Sequence, residues 1–186
     1  MQIFKPVFCS IYLFLGLQLC QAQDRSFTDI DQMKWKNYST NDKLLRVRVP
    51  ESWICDETFM SFNLFLKAPY ESEADKFAEN MSIYFQDIPG NSPDFNLNAY
   101  ISEAKMQIVK LLGEVKMSEP RYFNLKGNPA GEFTCINEQD GFTLKWKQVC
   151  QVKGSRIFTF TFTSTIDDFA QYVQIADIIM QSVEIR

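Results

Sequence analysis

Over residues 157–165 the chain alternates aromatic and hydroxyl side chains: Phe158, Phe160 and Phe162 interleave with Thr159, Thr161 and Thr163. Successive residues of a strand point to opposite sides of a sheet. The segment therefore reads as a strand with one buried aromatic face and one hydroxyl, β-branched face. The turns before it fix how its neighbours run. Asp140-Gly141 suits a type I′ hairpin, because both residues tolerate positive φ, and Gly154-Ser155 suits type II′. Lys126-Gly127-Asn128-Pro129 marks another turn. Strands joined by turns this short must be antiparallel.

The same period-2 pattern occurs earlier. Leu45, Val47 and Val49 alternate with Arg46 and Arg48 until Pro50 stops the run, and Trp53 follows in the turn. Phe62, Leu64 and Leu66 form a second alternating run, and Met81, Ile83 and Phe85 a third. A polar, acidic connection, residues 68–80, lies between them. Pro89, Gly90 and Pro93 then break the chain. Leu97, Ile101, Ala104, Ile108 and Leu111 are spaced for one face of a helix, with Asn96 as N-cap and Gly113 as its stop. Thr165 with Asp168 resembles a capping box opening a last helix, with Phe169, Val173, Ala176 and Met180 inward. Residues 182–185 add an edge strand. Two amphipathic helices need a sheet face to cover, so the fold class is α+β: an antiparallel β-sheet with helices packed on it.

The chain opens on a different pattern. Lys5 is the only charge before Asp24, and residues 7–19 are almost entirely apolar. That run has the length of a signal-peptide core and falls short of the roughly 20 residues that span a bilayer. Cys20 and Ala22 are small residues placed for cleavage before Gln23. Residues 1–22 are therefore expected to be a signal peptide, 23–36 an N-terminal lead-in and 37–186 a single domain. The protein is expected in the periplasm or outside the cell, with no transmembrane segment after cleavage. A lipoprotein anchored through Cys20 is the alternative, disfavoured by the bulky Leu19 before it. In that oxidising setting Cys55, Cys135 and Cys150 are an odd set. The hairpin register puts Cys135 and Cys150 about four residues apart along the sheet, roughly 13 Å and too far to bridge. Buried thiols are expected, with a Cys55–Cys150 bridge as the alternative.

The 186-residue chain contains no histidine. Ser-His-Asp and Cys-His nucleophile pairs are thereby excluded, together with the commonest ligand of zinc and copper. No glycine-rich phosphate loop and no CxxC is present. A net charge of −4 gives no electrostatic case for nucleic acid. No cofactor is expected. Glu71, Glu73, Asp75 and Glu79 could bind calcium or serve a carboxylate-dependent hydrolase, although Lys76 opposes a cation and the turn glycine of a calcium loop is missing. A solvated acidic loop is the simpler reading. Asp167 and Asp168 suit the first turn of a helix. Trp53, Tyr70, Tyr84 and Tyr122 are the aromatics expected near the surface, where such residues anchor partners. For Trp53, packing at the sheet edge is favoured over that role.

Several stretches together carry a resemblance. LLRVRVPESW resembles the strand-Pro-x-x-Trp opening of the PsbP-like family. FNLFLKAPYESEADKFAENMSIYFQDIP resembles its second and third strands, Asn96 through Leu112 its first helix, LKGNPAGEF its Gly-x-Pro-Ala hairpin, and SRIFTFTFTSTIDDFAQY its last strand and final helix. The match covers about residues 37–186, with Val183 in place of the usual Phe near the end. The resemblance implies a bacterial exported member with an α-β-α sandwich. Known members are accessory or binding proteins rather than enzymes. The histidine-containing metal sites of plant members have no counterpart here. The resemblance therefore implies a non-catalytic exported accessory domain docking to an envelope or secreted protein, with Trp53, Tyr70 and Glu73 as the expected contact residues. A small-molecule or metal-ion module using the acidic loop 71–79 is the alternative.

Overall fold

The computed structural model describes residues 30–88 and 95–185. The stretch expected to be a signal peptide, the first part of the stretch read as a lead-in and the Pro89–Gly90–Pro93 break lie outside them. After one 3-10 turn, Ile30–Gln32, the order is β1 (Trp35–Ser39), β2 (Leu45–Pro50), β3 (Ile54–Asp56), β4 (Leu64–Lys67), β5 (Asn80–Asp87) and α1 (Leu97–Leu112). Then come β6 (Lys116–Met117), β7 (Arg121–Leu125), β8 (Asn128–Gln139), β9 (Phe142–Lys153), β10 (Arg156–Thr165), α2 (Phe169–Ser182) and β11 (Glu184–Ile185). The large sheet runs β3-β4-β5-β10-β9-β8-β6, with β7 also on β8; a small sheet runs β1-β2-β11. All pairings among the described strands are antiparallel.

The turns form as their residues dictate. Asp140 and Gly141 both take positive φ, 49° and 84°, as a type I′ hairpin requires. Asn96 caps α1 by accepting from the N–H groups of Asn98 and Ala99 at 3.0 and 3.1 Å. Gly113 closes the helix with φ 77°. Thr165 and Asp168 do pair: the Thr165 hydroxyl donates to the Asp168 carboxylate at 2.6 Å and accepts from its N–H at 3.3 Å. They form a turn ahead of α2 rather than its first turn, since the helix begins at Phe169.

The sheet is covered on both sides. α2 lays Phe169, Tyr172, Ile175, Ala176, Ile179 and Met180 on one face, against Phe158, Phe160 and Phe162, Met81 and Ile83. α1 lays Tyr100, Ile101 and Ala104 on the other, against Phe133, Trp146 and Cys150. Gly131 lets α1 come this close, because a Cβ there would stand 2.5 Å from Ile101 Cδ1. Across the α2 face an ion-pair chain runs from Arg121 to Glu132 to Lys147 to Asp177, at 2.7, 3.1 and 2.8 Å.

Three expectations change, and one alternative falls away. β10 has two buried faces, not one: it lies mid-sheet between β5 and β9, and Thr161 and Thr163 are each 2% exposed. Leu111 points outward at 59% exposure, because the inward face of α1 is turned toward Tyr100 and Leu112 is the end residue that packs. β1 starts at Trp35, inside the stretch read as lead-in, and is held by pairing with β2. The cysteines are the free thiols expected, Cys135 and Cys150 fully buried; the alternative Cys55–Cys150 bridge is absent, because Cys55 packs toward the α2 side and Cys150 toward the α1 side, with the sheet between them.

Candidate functional site

The acidic connection between β4 and β5 is a strap crossing the end of α2, and its carboxylates do four different things. Asp75 folds the strap on itself, accepting from the N–H of Glu71 at 2.9 Å and of Phe77 at 3.0 Å. The Glu71 carboxylate accepts the hydroxyl proton of Tyr172 on α2, a contact made across 101 positions of sequence. Glu73 is exposed, and its carbonyl accepts from the Lys76 ammonium at 2.9 Å. Glu79 is 2% exposed and accepts from the Ser164 hydroxyl at 3.2 Å. Burial pushes its carboxyl up to about 8, and the negative charges of Asp168 and Asp75 push the same way. Glu79 thus holds its proton at neutral pH. The expected solvated loop is therefore only part of the picture; Glu79 goes inside because it directly precedes β5 in phase with Met81 and Ile83, which face the α2 side. Among the described residues no three His, Cys, Asp or Glu side chains come together in a metal-binding arrangement.

The aromatics divide as well. Tyr70 is 50% exposed, with the Lys67 ammonium 4.8 Å from its ring centre. Trp53 is 2% exposed, so the packing expected for it holds and it leaves the set of surface contacts. Its N–H bonds back to the Pro50 carbonyl at 3.0 Å, and that turn tucks the indole into the α2-side core. Tyr122 is 44% exposed and Tyr84 half-buried. Composition gave no sign of Ile54, 59% exposed, or of Met60, 46% exposed in a positive-φ turn (φ 55°). Ile54 was hidden because β3 is too short to show a period.

Ile54, Lys67 and Tyr70 share one rim. β3 is the outer strand of the large sheet, and Ile54 is opposite Lys67 in its register, so Ile54, Lys67 and Tyr70 follow one another along the edge. Phe59 stacks on Phe65 nearby at 4.2 Å. Glu57 ties the rim to the small sheet: it accepts from the Tyr38 hydroxyl at 2.5 Å and from the Asn41 N–H at 2.9 Å. That carboxylate raises the Tyr38 hydroxyl to about 12. The buried thiols are equally passive. Burial raises Cys150 to about 11 and Cys135 to about 12, so both stay protonated and weakly nucleophilic.

Comparison with solved structures places this architecture. CyanoP, the cyanobacterial PsbP from Synechocystis sp. PCC 6803, superposes with a TM-score of 0.58 over 87% of this chain and 98% of its own, at 13% identity. The fold is PsbP-like. The same PsbP-like domain superposes on LpqN, a protein involved in cell envelope biogenesis of Mycobacterium tuberculosis, with a TM-score of 0.60, over 83% of this chain and 91% of LpqN, at 13% identity. PA94 from Pseudomonas aeruginosa, a protein of unknown function, gives 0.58, 82%, 97% and 20%. No family model and no curated protein matches the chain. At these identities the likeness is one of fold, and function rests on the site. No helix among the described residues is long and apolar enough to cross a membrane.

Proposed function

We propose that this PsbP-like domain is an exported, non-catalytic accessory protein that docks to a protein of the cell envelope through the β3–β4 rim. The observation that carries the reading is the exposed apolar edge, Ile54 and Tyr70 at 59% and 50%, bracketing Lys67. Glu73 on the adjoining strap adds a charged contact. Interfaces gain most of their energy from a few such anchors surrounded by polar residues. The involvement of LpqN in cell envelope biogenesis supports the same setting. The chain's own leader, residues 1–22, would deliver it there, leaving Gln23 at the mature end, which intact mass of exported protein reads directly.

A photo-crosslinking residue placed at position 70, and separately at position 122, tests the rim in the native host. Position 70 should give a discrete adduct, lost when Ile54→Asp is added to a protein that still melts normally. Equal adducts from both positions, or none from position 70, would sink the proposal.

A further inference from the structure

The strap is fastened to the body by two carboxyl–hydroxyl contacts, Glu71 to Tyr172 of α2 and Glu79 to Ser164 of β10, and by apolar packing of Phe77 against Phe142 and of buried Ala68, whose N–H donates to the Glu79 carbonyl at 2.8 Å. Four carboxyl groups gather here: Glu71 and Asp75 from the strap, Glu79 at its end, and Asp168 before α2. Tyr172 adds a hydroxyl that burial and Glu71 hold protonated. Two cations stand on neighbouring positions, and each is used elsewhere. Lys76 donates to the Glu73 carbonyl, and Lys145 of β9, cross-strand partner of Ser164, lies over the Phe169 ring at 4.3 Å. A charged Glu79 would therefore be a buried anion among carboxylates. Two responses are open to it: keep the proton, or reach water by lifting the strap.

We propose that segment 68–79 is a proton-held strap, closed over the end of α2 while Glu79 is protonated and released as that proton is lost. The sign comes from linkage. The closed state raises the Glu79 carboxyl to about 8, whereas an open, solvated glutamate titrates near the ordinary value of 4.5. The closed state thus binds the extra proton between those limits. Closure is firmest below the ordinary value and weakens about tenfold per pH unit until the folded-state value is passed, where it levels off. The lever moves Tyr70 and Glu73, yet its operation does not depend on what the rim contacts.

Hydrogen exchange by NMR on the full domain, expressed as protection factors so that the intrinsic pH dependence cancels, reads the strap through the amides of Glu71, Asp75 and Phe77, each hydrogen-bonded within it. Between pH 5 and pH 8 these amides should lose protection about tenfold per unit, and remain less protected than β9 throughout. Glu79→Gln should flatten the slope. Tyr172→Phe should lower protection at every pH while keeping the slope. The carboxyl ¹³C titration of Glu79 in the unaltered protein gives the same answer without any variant. A Glu79 titrating in the ordinary carboxylate range, a slope that survives Glu79→Gln, or strap amides matching β9 at every pH would overturn the proposal.

Discussion

Replacing Gly131 with alanine tests how tightly α1 is seated on the sheet. The added Cβ would stand 2.5 Å from Ile101 Cδ1 and 2.9 Å from Tyr122 Cδ1. Carbon atoms rest at about 3.5–4.0 Å, so about 1 Å of overlap must be absorbed against Ile101. Tyr122 is 44% exposed and swings aside at little cost. Ile101 is fully buried among Phe133, Trp146 and Cys150, so either its rotamer or the helix must shift. Overpacking of this kind costs about 1–3 kcal/mol. Ile101→Val removes the offending methyl and by itself costs about 0.5–1.5 kcal/mol. Combined, the two changes should destabilise by less than their sum, by about 1 kcal/mol, because the second relieves the first. Urea titration reads each as a midpoint shift at unchanged slope. A Gly131→Ala protein within about 0.5 kcal/mol of the parent, or strict additivity in the pair, would show that α1 rides on the sheet with slack and that the close approach is not a constraint.

Burial sets two further outcomes. Phe160→Ala should cost about 3–5 kcal/mol by denaturant titration, and Thr161→Ala, buried on the other face but small, about 1–2 kcal/mol; equal losses would show that the two faces of β10 are misassigned. With Ellman's reagent at pH 8, Cys135 and Cys150 should stay silent until the protein is unfolded, because burial keeps both thiols protonated and inaccessible, while half-buried Cys55 should react first; native reactivity of Cys150 would contradict the seating of α1.

What the sequence disclosed was local. Asp140-Gly141 and Asn96 form the turn and cap predicted for them because their conformational preference is decided within a few residues. The alternation of Phe158, Phe160 and Phe162 gave the strand, and the hairpins gave its direction. What it withheld was tertiary. β1 and β3 are short strands that exist because β2 and β4 pair with them, and three to five residues carry no reliable period. Threonines on β10 look identical whether water or protein covers them. The acidic connection shows the same limit: Glu71, Glu73, Asp75 and Glu79 are alike in sequence, and only the phase of β5 sends Glu79 inside. For the contact residues, Tyr70 and Glu73 are exposed, whereas Trp53 is turned inward by its bond to Pro50.

The order of strands has a kinetic consequence. β5 sits mid-sheet, yet one of its partners, β10, is remote in sequence: Asp87 meets Arg156 across 69 positions, and the small sheet closes only when Glu184 of β11 at the chain's far end pairs with Arg46 of β2. Contacts this distant make for high contact order and folding on a millisecond-to-second scale. Until β10 arrives, β5 presents a bare row of amides and carbonyls beside Met81 and Ile83. That interval is when another chain could pair there instead, so the docking of β10 onto β5 is the step at which productive folding competes with aggregation.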